Sequence, residues 1–355
     1  MDRESGNFRL GDTVSEDGKR VAPLNYEAAD LTTHGVIVGM TGSGKTGLAI
    51  VTLEEALVAG VPVLILDPKG DMPNLRLTFP DFAPSDFRPW VNEGDAQRDG
   101  ISVDDLAARE AQMWQDGLAS WGLGSEDLHA LRGAADITIY TPGSLTGVPL
   151  NIVGDLSAPE TGGDTETASA EAAAFVTGLL GLVGIDADPL ASREHVLLSN
   201  LVGHAWANGQ PLDLATLIAQ TLDPPIRKLG VFEVDTFFPA NERRALAMRL
   251  NSLVASPTFA GWTEGPPLDI QSMLYTADGL PRASILYLAH LSEPERQFVV
   301  SLVLSKVITW MRAQPGTTDL RALLYMDEVF GFAPPTANPP AKSPILTLLK
   351  QARAY

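Results

Sequence analysis

Residues 35–46 read GVIVGMTGSGKT, and the last eight satisfy the pattern G-x-x-x-x-G-K-[ST]. Each position in that pattern has a physical task. Gly39, Gly42 and Gly44 let the backbone curl so that successive N–H groups point inward at phosphate oxygens, at the positive end of the helix that follows. Lys45 adds a point charge for the outer phosphates, and Thr46 offers a hydroxyl to Mg²⁺. Met40, Thr41 and Ser43 complete the loop, so all of Gly39 to Thr46 is expected to contact nucleotide. The apolar run 35–39 predicts a strand and the Ala/Leu-rich stretch 44–59 a helix. That context separates a phosphate loop from a flexible Gly/Ser turn, and the expected ligands are ATP and Mg²⁺.

Outward from the loop, VPVLILD at 61–67 is apolar on both faces, as a parallel strand covered by helices must be. ITIYTPG at 137–143 and RASILYLAHL at 282–291 read as further core strands. RALLYMDE at 321–328 delivers Asp327 and Glu328 to the carboxyl end of another, where ligands sit in open α/β sheets. Asp327 suits the Mg²⁺ shell and Glu328 the orientation or deprotonation of an attacking water. Alone, such a pair also describes an ordinary strand end; beside a phosphate loop it favours a hydrolase over a small-molecule kinase. Asp67, Lys69 and Asp71 of DPKGD share this sheet edge. They read either as contacts to metal, nucleotide or a neighbour, or as a polar turn after a buried strand.

The chain has 355 residues, more than one compact core of about 150 residues needs. Four parts are expected. Residues 1–34 are an extended N-terminal lead-in, and 35–154 the first part of a P-loop core with an acidic insertion. Residues 155–270 are a helical insertion, entered through a Gly/Ser/Thr-rich linker at 155–170, and 271–355 carry the rest of the core. Ser292 is placed to cap a helix running to about Arg312, with Pro294 and Glu295 in its first turn. A last helix is expected from near Ser343 and still running at Tyr355, as though the chain were cut before a further core strand. The fold class is therefore α/β, a RecA-like P-loop NTPase core with a mainly parallel sheet and a large helical insertion.

There is no cysteine, which excludes thiolate metal sites and cysteine nucleophiles. The five histidines form no metal-ligand spacing, and His195 and His204 read as packing and capping residues. No long apolar run or secretory leader is visible, so a cytoplasmic protein without a membrane segment is expected. The net charge of −19 argues against wholesale coating of nucleic acid. It is unevenly spread: residues 81–170 hold 16 acidic and 4 basic side chains, residues 281–355 hold 5 and 8. In the segment 241–254, Arg243, Arg244 and Arg249 could face DNA, solvent or Glu242.

Taken together, LTTHGVIVGMTGSGKT, VPVLILDPKGD, ITIYTPGS, LYLAHLSEPERQF, LLYMDEVFGFAPP and PILTLLKQARAY resemble the HerA/FtsK superfamily of P-loop ATPases, in particular bacterial HerA-like ATP-binding proteins. The resemblance implies a RecA-like core that assembles into a ring, usually a hexamer, with ATP between subunits and double-stranded DNA threaded through the middle, often beside a nuclease partner. By motif match, Gly39 to Thr46 would be the nucleotide loop, with Lys45 catalytic as well. Asp327 would be the Mg²⁺ residue, Glu328 the catalytic glutamate and Arg353 a sensor or finger. The family's polar sensor strand after the Arg-bearing helix has no counterpart in this sequence, which bears on hydrolysis by these 355 residues alone. The leading reading is a double-stranded DNA translocase or helicase. A secretion or conjugation motor and a nucleotide-dependent scaffold with little turnover are the alternatives.

Overall fold

The computed structural model describes residues 6–159 and 164–355. It opens with an antiparallel hairpin of β1 (Asn7–Val14) and β2 (Arg20–Glu27), where a plain lead-in was expected. The phosphate loop leads into α1 (Lys45–Val58), and β3 (Val63–Asp67) follows. The acidic region folds as α2 (Pro84–Phe87), α3 (Glu93–Asp99), α4 (Val103–Ala119) and α5 (Ser125–Ala134), ahead of β4 (Asp136–Tyr140). Helices α6 (Thr165–Leu182), α7 (Arg193–Ala207) and α8 (Leu214–Leu222) come next. A small hairpin of β5 (Lys228–Leu229) and β6 (Phe232–Glu233) then precedes α9 (Val234–Phe237) and α10 (Ala240–Val254). The core closes with α11 (Ile270–Leu274), β7 (Arg282–Tyr287), α12 (Glu293–Arg312), β8 (Leu323–Met326) and α13 (Lys342–Gln351).

Strands β4, β7, β3 and β8 lie in that order in one parallel sheet. Period-two alternation sends neighbouring side chains to opposite faces. Val63, Ile65, Ala283, Ile285, Leu323 and Tyr325 meet α1 and the β1–β2 hairpin, while Leu64, Leu66, Leu286, Leu324 and Met326 meet the other layer of helices. All of β3 is buried, the double-sided coverage anticipated for a parallel strand. The hairpin is tied to α1 by the Arg9 N–H, which donates to Glu55 Oε2 at 2.9 Å.

Side-chain caps start several of the helices. Ser102 accepts from Asp105 N, Asp164 from Glu166 N and Thr167 N, and Asp213 from Thr216 N. Ser292 and Glu295 form the expected reciprocal cap on α12, with Pro294 in its first turn. Helices α6 and α12 then lock together through a buried polar cluster. Glu171, 4% exposed, accepts from Lys306 Nζ at 3.0 Å and Thr309 Oγ1 at 2.6 Å.

Several expectations need correction. Residues 34–40 form no regular element and pair with no strand among the described residues. An apolar run becomes a strand only with a neighbouring ladder, and here the lead into the loop is held instead by His34 Nε2, 2.8 Å from the Leu349 carbonyl on α13. Residues 160–163 of the expected linker lie outside the described residues, but 165–170 belong to α6, with Thr167 buried under Arg312. The region 155–270 is not purely helical, because β5 and β6 pair in it. The last helix does not run on to Tyr355: α13 ends at Gln351, a 3₁₀ turn covers Ala352–Ala354, and the Tyr355 carbonyl accepts from Arg321 Nε. Arg243 is buried, giving its guanidinium to Asp235 and to the Phe238 carbonyl, which removes it from any DNA-facing set.

Two substitutions test this packing. Glu171→Ala strips Lys306 and Thr309 of a buried carboxylate and is expected to cost about 3 kcal/mol in denaturant unfolding, against little for an exposed acid such as Glu16. Burial, helped by Glu55, pushes the Glu54 carboxyl in α1 up to about 7. A carboxyl with a raised folded-state pKa keeps its proton longer in the fold, so stability falls as pH climbs from about 4.5 to about 7. Glu54→Gln should therefore raise the melting temperature at pH 8 and leave it nearly unchanged at pH 4.

Candidate nucleotide site

The loop is built as its glycines require. Gly42 (φ 78°) and Gly44 (φ 89°) occupy the left-handed region, and a Cβ on Gly39 would lie 2.4 Å from Ser43 Oγ and 3.3 Å from Lys45 Cγ. Ser43 N donates to the Met40 carbonyl at 3.1 Å, and Lys45 Nζ donates to the same oxygen at 2.8 Å. No side chain caps α1, whose first intrahelical bond is Leu48 N to the Gly44 carbonyl. The N–H groups of Lys45, Thr46 and Gly47 are thus open at the positive end of a 14-residue helix. Such a cradle could hold a phosphate through backbone N–H groups and Lys45, and the Thr46 hydroxyl could serve Mg²⁺.

The second half of the site comes from strand register. Leu66 pairs with Met326, and Asp327 N donates to the Leu66 carbonyl at 3.2 Å, which sets Asp327 beside Asp67 at the carboxyl ends of adjacent strands. Asp327 follows Leu323 and Tyr325 onto the face that α1 covers, so it lies on the same side of the sheet as the helix that starts in the phosphate loop. Burial first, then the carboxylates of Asp327 and Asp67, push the Tyr325 phenol up to about 12. Glu328 has φ 48°, one of two non-glycine residues in the left-handed region among those described. Its N–H donates to Asp327 Oδ1 at 3.0 Å. This turn sends Glu328 away from the course of the strand, a local strain of the kind that collects at functional sites.

The DPKGD turn resolves into distinct roles. Asp67 is fully buried and accepts from Gly70 N at 2.7 Å and Met72 N at 3.0 Å, so it shapes the turn. Burial raises its pKa against the pull of those bonds. Lys69 and Asp71 stay half-exposed and pair at 2.6 Å.

Other residues are placed elsewhere. Arg353 is exposed in the 3₁₀ turn next to Tyr355, whose carbonyl meets Arg321 ahead of β8, so it stands at the opposite end of that strand from Asp327. His195 is buried, its ring nitrogens facing Thr177 Oγ1, the Ala173 carbonyl and Ser199 Oγ, and burial lowers its pKa. No cluster of potential metal ligands of the His/Cys/Asp/Glu kind occurs among the described residues. The basic surplus of the C-terminal part is largely spent inside the fold: Arg282, Arg296, Lys306, Arg312, Arg321 and Lys342 all bond within the chain. Arg244, Arg249, Lys350 and Arg353 remain exposed. Among the described residues no helix is long and apolar enough to cross a membrane.

Gly39→Ala probes the cradle directly. The added methyl forces the Ser43 hydroxyl to turn away and crowds the Lys45 stem, so ATP binding measured by titration should weaken severalfold while the melting temperature holds.

The model of the family described as "Helicase HerA, central domain" matches residues 8–307. The matched span contains the hairpin, the phosphate loop and strands β3, β4 and β7, and it ends within α12, ahead of Asp327 and Glu328. No curated protein matches the chain. A match over that length, on a parallel sheet with a phosphate loop at an open helix N-terminus, makes the chain a member of the HerA central-domain family of P-loop ATPases.

Proposed function

We propose that the chain binds ATP with Mg²⁺ and works as the motor subunit of a ring that moves or opens double-stranded DNA. The observation that carries this reading is the shared side of the sheet: α1, with its open N-terminus, covers the face onto which Asp327 projects. Bound Mg·ATP supplies the phosphoanhydride whose cleavage drives the motor. In this reading the N–H groups of Gly39 to Thr46 and the Lys45 ammonium hold the outer phosphates. Thr46 and Asp327 hold Mg²⁺. Glu328, turned aside by its left-handed backbone, orients the attacking water and takes its proton.

Ring assembly and DNA rest on the family, whose description names a helicase. A ring also gives the exposed Arg353 work to do. It stands far along β8 from its own Asp327, so it would act on the nucleotide of an adjacent subunit, where trans arginine fingers are worth about 10³ to 10⁵ in rate. A nuclease partner is part of the same proposal. The scaffold reading draws on the acidic helices, which expose Trp90, Met113 and Trp114.

Steady-state ATP hydrolysis by the complete protein, with and without double-stranded DNA, decides between them. Stimulation of several-fold by DNA, abolished by Lys45→Ala and by Glu328→Gln, supports the motor. ATP binding with low turnover indifferent to DNA rejects the motor and supports the scaffold.

A further inference from the structure

We propose that Lys69 is a further cation of the nucleotide site, held by Asp71 until the terminal phosphate of a bound triphosphate takes its place. The inference rests on the ATP-binding reading above and adds to it a residue that senses whether the third phosphate is there.

Lys69 is presented by a turn with little freedom. The buried Asp67 carboxylate closes the turn on Gly70 N and Met72 N. Gly70, at φ 94°, packs so tightly on Tyr287 that a Cβ would lie 2.8 Å from that ring. The Tyr287 ring stacks on His290, centroids 5.6 Å apart, and His290 Nε2 lies 2.8 Å from the Pro142 carbonyl. Residues beyond β4 and at the end of β7 thus brace the loop beyond β3. The backbone is held, and what can move is the flexible lysine stem.

The partners of that stem are all acidic. Asp71 binds the ammonium at 2.6 Å, and the β3–β8 register brings Asp327 and Glu328 to the same edge. Asp71 foremost, with Asp327 and Glu328 adding to it, raises the proton affinity of Lys69. An anionic phosphate approaching Asp327 and Glu328 meets repulsion from both carboxylates, and a cation on the β3 side relieves it. Lys69, which emerges just beyond the end of β3 beside the Asp327 strand end, is placed to supply that cation, and its half-exposed ion pair with Asp71 opens at little cost. The diphosphate, which lacks the third phosphate, leaves Lys69 with Asp71.

This model predicts opposite signs for the two partners of one ion pair. Binding of ADP and of a non-hydrolysable ATP analogue, each with Mg²⁺, is measured by calorimetry on the whole chain. Lys69→Met should weaken the triphosphate about tenfold with little change for ADP, and Lys69→Arg should recover part of the loss. Asp71→Asn should tighten the triphosphate severalfold, a gain that disappears in the Lys69→Met/Asp71→Asn double variant. If Lys69→Met and Asp71→Asn shift the triphosphate in the same direction, or leave the ratio of triphosphate to diphosphate affinity unchanged, the pair is structural and the inference falls. Failure of the unmodified protein to bind the analogue, or binding indifferent to Lys45→Ala, overturns the nucleotide reading itself.

Discussion

Burial of β3 on both faces is the constraint on which the rest depends. Val63 to Leu66 fill two layers at once, and the same burial extends to Asp67, a carboxylate with no access to solvent. Such a group must be hydrogen-bonded or it is costly. The chain meets this by folding straight back so that Gly70 N and Met72 N point at it. The turn that results is a consequence of the strand's burial, and it determines where Lys69 and Asp71 emerge. The same strand dictates the register of β8, and with it the position of Asp327 and Glu328.

The two layers around the sheet are stabilised differently. The α1 side is a small apolar core closed by the hairpin and α5. The other side is one continuous core that joins the sheet to α6, α7, α8, α10 and α12, and two buried charges within it are paired: Glu171 with Lys306 and Thr309, Arg243 with Asp235. The helices between β4 and β7 therefore share their packing with the sheet and with α12. Glu171 ties α6 to α12, so the helical layer and the sheet form one packed unit.

Chemistry that is local in sequence was legible there. The phosphate loop carries its own glycines, lysine and hydroxyl, and the capping box of α12 lies within four consecutive residues, Ser292 to Glu295. The strand β3 announced itself by being apolar on both faces. What failed were properties that depend on distant partners. GVIVG has the composition of a strand, but pairing is decided by whether a neighbour's backbone is available, and the His34 contact to α13 connects residues 315 positions apart. Arg243 reads as a surface residue until Asp235 and the Phe238 carbonyl are seen around it. The helix expected to run on through Tyr355 gives way after Gln351 to a 3₁₀ turn, and Arg321 meets the Tyr355 carbonyl beyond it, another contact invisible in a local window. The neighbourhood of Lys69 and Asp327 has the same origin, because register between β3 and β8 is written in neither strand alone.

The site juxtaposes two halves of opposite sign. The phosphate loop offers an open helix N-terminus and the Lys45 ammonium, whereas the end of β8 offers Asp327 and Glu328. An anion is welcome at the first half and repelled at the second, and a divalent cation the reverse. A ligand that is itself an anion carrying a divalent metal satisfies both at once. The backbone strain has a matching distribution: the positive φ in the loop falls on Gly42 and Gly44, where it costs little, and at the strand end on Glu328, where it does. Strain at a glutamate is retained only where the surroundings over-determine it, and here the Asp327 carboxylate accepts the Glu328 N–H while the 3₁₀ turn Val329–Gly331 follows at once. The backbone of the glutamate proposed as catalytic is thus turned off the line of the strand by bonds within the chain, so that turn is part of the fold.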